Sequence, residues 1–195
     1  FRHYIGSPIE KDELIYEEKD ETFTCSISLT ADEKFFVIST SDHITTEEYF
    51  FASNSNSIKL KLFKKRVSDV RYSIDSWKGY FYIHTNEDAR DFKILKCRND
   101  KIEELEDFIP AKKETVIGDL EFLENYIVRG EKSDAISKIY VRNLKTNKEE
   151  EIKISKESIG VPGISLMQKD PKTDKIRVSW ESMASPLKVY EYDIF

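Results

Sequence analysis

Few side chains in this sequence stand where they could do chemistry together. The densest acidic group is Glu17-Glu18-Lys19-Asp20-Glu21. Paired carboxylates can divide acid and base roles when they sit within reach of one substrate. These follow a strand-like stretch, so a solvated turn between strands is the expected reading. The histidines, His3, His43 and His84, are far apart, and none opens a metal-ligand spacing. Each is expected to be structural or on the surface. Two cysteines, Cys25 and Cys97, make neither a disulfide framework nor a four-ligand zinc site by themselves. They are expected to be reduced, partly buried thiols of a cytosolic protein. Gly160-Val161-Pro162-Gly163-Ile164-Ser165 places its serine outside the glycines, which is not a nucleophile elbow. Six glycines supply no phosphate-cradling loop. Asp170 and Asp174 flank Pro171-Lys172-Thr173, which is good turn chemistry and poor calcium-loop spacing. No residue is assigned a catalytic, cofactor-binding or metal-binding role, and no cofactor is expected.

The basic run Lys59-Leu60-Lys61-Leu62-Phe63-Lys64-Lys65-Arg66 begins with lysine alternating with leucine. That is how a half-buried strand with a solvated face is written, and it outweighs a phosphate site. The net charge of -6, from 31 basic and 37 acidic residues, opposes a general nucleic-acid binder. No stretch nears the roughly 20 apolar residues that cross a bilayer, and mean hydropathy is -0.56, so no membrane span is expected. The start, Phe1-Arg2-His3-Tyr4-Ile5-Gly6, lacks the basic and apolar regions of a signal peptide, and a cytoplasmic location is expected. It also lacks an initiator Met. With 12% aromatic residues among 195, the chain is expected to fold.

The elements that must position these side chains are strands. Thr22 to Leu29 alternates polar and apolar residues, predicting a strand with one buried face. After the turn Ala31-Asp32-Glu33 comes Lys34-Phe35-Phe36-Val37-Ile38-Ser39, completing a hairpin. The device returns three times, around Lys78, Glu124-Asn125 and Thr173. Turn centres near 33, 78, 124 and 173 lie 45, 46 and 49 residues apart. A following strand repeats too, starting at Glu48, Phe92, Lys138 and Lys188. Outer strands show at Lys59-Leu60-Lys61-Leu62 and Glu151-Ile152-Lys153-Ile154. Two markers sharing a period of about 40–50 residues, with four strands per unit, indicate β-propeller blades. A β-sandwich or open barrel also spaces its strands regularly, but it has no four-strand super-period. Only Asn99 to Ala111, with Ile102, Leu105 and Phe108 at helical spacing, suggests a short helix or turn.

Several ordered motifs resemble a known family. They are Phe1-Arg2-His3-Tyr4-Ile5-Gly6-Ser7-Pro8; Asp12-Glu13-Leu14-Ile15-Tyr16-Glu17-Glu18-Lys19-Asp20 with Phe23; and Arg66 with Tyr72-Ser73-Ile74-Asp75. Phe81 to Phe92, Ser182-Met183-Ala184-Ser185-Pro186 and Val189-Tyr190-Glu191-Tyr192-Asp193 keep the same order. Together they resemble the propeller of the oligopeptidase B (protease II) branch of the prolyl oligopeptidase family of serine peptidases. The resemblance implies an all-β partial β-propeller of about four antiparallel blades, incomplete relative to a seven-bladed parent. The expected blades are 12–66, 67–111, 112–158 and 159–195.

The resemblance further implies a parent that pairs its propeller with an α/β-hydrolase domain carrying Ser, Asp and His. Such enzymes cleave short peptides after basic residues, and the propeller acts as size filter and lid. The triad belongs after the motif matching Tyr190-Glu191-Tyr192-Asp193, so no triad residue is carried over and the chain alone is expected to be inactive. The missing Met and the stop at Phe195 are expected to be two cut ends of a longer enzyme. Its partners would be the catalytic domain and the remaining blades. About four blades cannot close a seven-blade ring, so a homodimer through open blade faces is also expected. Contact with the catalytic domain is expected from Glu17 to Asp20, Arg66 and Arg71. Two other readings stand beside this one: a free-standing β-propeller-like protein-binding module, and a small hydrolase using pairs among Glu17 to Glu21. The motif order favours the first reading over the second, and no base–nucleophile arrangement supports the third.

Overall fold

The computed structural model describes residues 1–154, 160–165 and 172–194. Apart from one 3-10 turn at Ile9–Lys11, its regular elements are strands. Sheet 1 holds β1 (Thr24–Leu29), β2 (Phe35–Ser41), β3 (Thr46–Ala52) and β4 (Lys61–Lys64). Sheet 2 holds β5 (Tyr72–Trp77), β6 (Tyr80–Thr85), β7 (Lys93–Arg98) and β8 (Glu106–Ile109). Sheet 3 holds β9 (Thr115–Phe122), β10 (Tyr126–Ser133), β11 (Ile136–Asn143) and β12 (Glu149–Ile152). Sheet 4 holds β13 (Val161–Ser165), β14 (Lys175–Ser182) and β15 (Ser185–Asp193). In every sheet, chain neighbours are sheet neighbours. Four successive antiparallel meanders are the all-β, blade-like arrangement expected from the period; a sandwich would trade strands between its two sheets.

Tight turns set the registers. Lys78 and Gly79 join the partners Trp77 and Tyr80 with φ of 51° and 88°. Two positive φ values in a two-residue loop match the right-handed twist of the flanking strands, and glycine meets the second at no steric cost. Asp134 and Ala135, at 50° and 62°, do the same between Ser133 and Ile136, with an alanine where glycine would be unstrained.

Two compact units divide the chain: Phe1–Asp88 with Leu95–Phe108, and Ala89–Ile94 with Ile109–Phe195. In the first, Val37 and Phe50 of sheet 1 meet Tyr72, Ile74, Phe81, Ile83 and Cys97 of sheet 2. Phe81 is fully enclosed, with the rings of Phe35, Phe50 and Phe63 at 5.0, 5.0 and 5.5 Å. In the second, Leu123, Val128, Ile139, Val141 and Ile152 of sheet 3 pack on Ile176 and Val178 of sheet 4 and on Ile194. Each such side chain contributes about 1.5–3 kcal/mol by leaving water.

Some expectations are corrected. All six residues of β1 are exposed, not half of them. It is an edge strand, paired on one side only, and alternation alone does not say whether a face is covered. Cys25 is therefore exposed, whereas Cys97 is buried, and both are free thiols. The Asn99 to Ala111 segment forms turns and then β8, not a helix, with Ile102 packed on the first core. Outer strands fall two residues from the expected starts, at Lys61 and Glu149. Of the expected fourth hairpin turn, Asp170 and Pro171 lie outside the described residues.

Candidate functional site

The face of sheet 1 turned away from the first core is built from alternate residues. The register places Ile27 opposite Ile38, Phe36 opposite Phe51 and Thr40 opposite Glu47. The segment before β1 lies over part of this face as a strap. Arg2 and Glu13 exchange backbone hydrogen bonds of 2.8 and 3.0 Å and also pair through their side chains. Arg2 Nη1 donates to the Asn56 carbonyl at 3.1 Å. The Tyr16 ring sits 4.8 Å from that of Tyr49. Between strap and sheet remains a cleft of about 370 Å³, lined by Phe1, Ile15, Cys25, Ile27, Phe36 and Phe51 among others. Within this lining Ile27 is 61% exposed, so the apolar surface is not sealed by the strap.

A charged cluster closes the far end of the strap. Arg66 Nη2 donates to Glu18 Oε2 at 2.5 Å, Glu47 Oε1 at 3.2 Å and Thr40 Oγ1 at 3.3 Å. The Arg66 backbone N–H donates to Glu47 Oε2 at 2.9 Å, and its guanidinium lies 4.1 Å above the Phe23 ring. Glu18 also accepts the backbone N–H groups of Lys19 and Asp20 and the Tyr16 hydroxyl, each at 3.0 Å. Burial opposes ionisation of Glu18, but the Asp20 N–H, Arg66 and the Tyr16 hydroxyl together outweigh it and hold the carboxyl at about 2. Glu47 is lowered in the same way, its burial overcome by Arg66 and Tyr49. Both acids stay ionised at neutral pH, so this cluster clamps the strap and moves no proton.

The acidic run is thus split by role. Glu18 is committed to Arg66, and Glu17 is exposed. Of the residues expected to meet another domain, Glu18 and Arg66 pair with each other, and Glu17 and Arg71 are exposed. His3 Nδ1 lies 2.6 Å from Asp12 Oδ1, His43 is exposed and His84 half-buried. In the basic run Lys59, Lys61 and Lys65 face solvent, Lys64 pairs with Glu87 and Phe63 packs on the core. Burial pushes the Cys97 thiol up to about 11, away from reactivity. Ser165 ends β13, and Asp174 accepts the Ile194 N–H through its carbonyl, while Asp170 lies outside the described residues. Among the described residues no group of three His, Cys, Asp or Glu could hold a metal, and no helix is long and apolar enough to cross a membrane.

A second cluster has no counterpart in the motif reading. Arg129, 1% exposed, donates to Glu131 at 2.6 Å and to Glu149 at 2.5 Å, and lies 5.0 Å from the Tyr140 ring. Arg142 and Lys112 complete it through Glu149 and Glu131. The one sequence signal is a charge inside the apolar run Tyr126-Ile127-Val128-Arg129, a residue that can be buried only with partners.

Comparisons agree with this architecture. The family model described as prolyl oligopeptidase, N-terminal beta-propeller domain, matches residues 1–195. Protease 2 of Moraxella lacunata is 38% identical over 97 residues, 50% of this chain and 14% of that protein. Dipeptidyl aminopeptidase BI of Pseudoxanthomonas mexicana is 27% identical over 192 residues, 97% of this chain and 26% of that protein. The structure of oligopeptidase B from Trypanosoma brucei, closed and with covalently bound antipain, superimposes with a TM-score of 0.88 at 20% identity, covering 98% of this chain and 29% of that one. The matched stretches span 14% and 26% of the length of these two curated relatives.

Proposed function

The chain belongs to the prolyl oligopeptidase family, as part of its N-terminal β-propeller domain, and from that premise we propose that it is the non-catalytic propeller portion of a serine-type oligopeptidase. In this reading the parent hydrolyses short peptides after basic residues, and the propeller serves as size filter and lid over the active site. Residues 12–66, 67–111, 112–158 and 159–195 are its blades, working with the remaining blades and an α/β-hydrolase domain in the cytoplasm. The observation that carries the reading is the match of the whole chain to a propeller-domain family whose curated relatives are several times longer. The cleft and the exposed β1 on sheet 1 support it, being an apolar blade face suited to a further blade or a second copy. The neighbouring coding sequence tests it directly. A continuous downstream frame with a Gly-x-Ser-x-Gly motif is the expected finding, and a stop without one overturns the proposal. The isolated chain should leave Arg- and Lys-containing dipeptide reporters at background.

A further inference from the structure

Glu48 lies on β3 where sheet 1 meets sheet 2, 4% exposed. Its Oε2 accepts the Ile74 backbone N–H of β5 at 2.7 Å. Its own backbone N–H donates to the Tyr72 hydroxyl at 2.8 Å, and that hydroxyl donates onward to the Lys64 carbonyl. Carboxyl and phenol therefore cross the seam between the sheets in opposite directions, each meeting a backbone group of the other sheet.

The charged and titratable groups around this carboxyl do not neutralise it. From β2, Ser39 is its register partner and hydrogen-bonds to it. From β4, Lys64 is its other register partner, but the Lys64 ammonium is paired with Glu87, which follows β6. From β5 come Tyr72 and Asp75, and Asp75 is of like charge. Glu47, next on β3, points to the opposite face and meets Arg66. A carboxylate buried without a cation is costly, whereas the acid form both donates and accepts hydrogen bonds.

We propose that Glu48 is a proton-operated latch: as a neutral acid it fastens β5 of sheet 2 to β3 of sheet 1, and losing the proton loosens that seam. Burial, then Asp75 against the bonds from Ile74 and Ser39, pushes the carboxyl up to about 8. In the opened seam it returns to an ordinary carboxylate value of 4.5. The sign follows: opening binds fewer protons, so it becomes easier as pH rises between those values and levels off above the higher one.

Hydrogen exchange of the whole 195-residue chain, corrected for intrinsic exchange chemistry, tests this at the Ile74 amide from pH 6 to 9. In the wild type, protection should fall up to about tenfold per pH unit until near pH 8 and then flatten. Glu48→Gln, which keeps an acceptor for the Ile74 N–H but cannot ionise, should show a flat profile. Equal profiles in the two proteins overturn the proposal. If Glu48→Gln fails to fold, the carboxyl carbon shift of Glu48 in the wild type decides: a midpoint above 6.5 supports the latch, and one near 4.5 overturns it.

Discussion

The guanidinium of Arg66 closes on the carboxylate of Glu18 at 2.5 Å, joining residues 48 positions apart and fixing the strap to the sheet it covers. Replacing Arg66 by Ala leaves Glu18 and Glu47 facing each other without a cation. We expect a loss of about 1–2 kcal/mol in urea unfolding, discounted for partial exposure. Arg66→Lys should recover only part of it, because an ammonium lacks the flat guanidinium face that lies on the Phe23 ring. The acid limb has a defined direction. Glu18 is held at about 2 against an ordinary 4.5, so the contribution is complete above the ordinary value and is lost as pH falls through about 2.

Glu17 and Glu18 should part company under charge reversal. In the full-length peptidase proposed above, Glu17→Lys should alter peptide turnover while leaving thermal stability unchanged, because Glu17 is exposed. Glu18→Lys should lower stability by placing a cation against Arg66. Turnover assays with a melting curve for each variant check both, and unchanged kinetics for Glu17→Lys would remove it from any gate.

Arg129 is the strongest single-site expectation in the second unit. Truncating a buried cation strands its carboxylates, so Arg129→Ala should cost about 3–5 kcal/mol. Restoring apolar volume while removing Glu131 and Glu149 as well should recover much of this. Urea unfolding of the single and triple variants is the measurement.

Ala135 sits at a φ of 62° in a two-residue turn. Ala135→Gly should stabilise the chain by about 1 kcal/mol, since glycine adopts this conformation without a Cβ clash. The same substitution at Ala52, which ends β3 opposite Phe35, should do the opposite. Melting temperatures of the pair decide.

Ile27 is largely exposed on a strand with no charged residue, Thr24–Leu29. The isolated chain should associate through this face and bind an apolar dye. Ile27→Lys should reduce both without loss of stability. Sedimentation of wild type and variant checks this; a wild type that is strictly monomeric and dye-silent would falsify the expectation.

The strand order was legible because hairpin turns and apolar alternation recur together, and each is a local property of the chain. The exposure of β1 was not, because Cys25, Ile27 and Leu29 look the same whether or not something covers them. Arg66 was visible as part of a motif, but its partners were not: Glu18 and Glu47 are brought to it by sheet register and by the strap. Arg129 and Glu48 are ionisable residues in strands, and only the folded neighbours distinguish a buried one from a solvated face.

The division into two units also has a topological meaning. The chain leaves the first unit at Ala89, spends six residues in the second, returns at Leu95 and departs again at Ile109. The chain thus passes between the units three times, and a cut near residue 90 separates Phe1–Asp88 from Leu95–Phe108 of the same unit. A truncation after Asp88 would forfeit Leu95–Phe108 and, with them, Cys97 and Ile102 of the first core. Protease nicking near residue 90 should therefore leave both pieces non-covalently joined instead of shedding a domain.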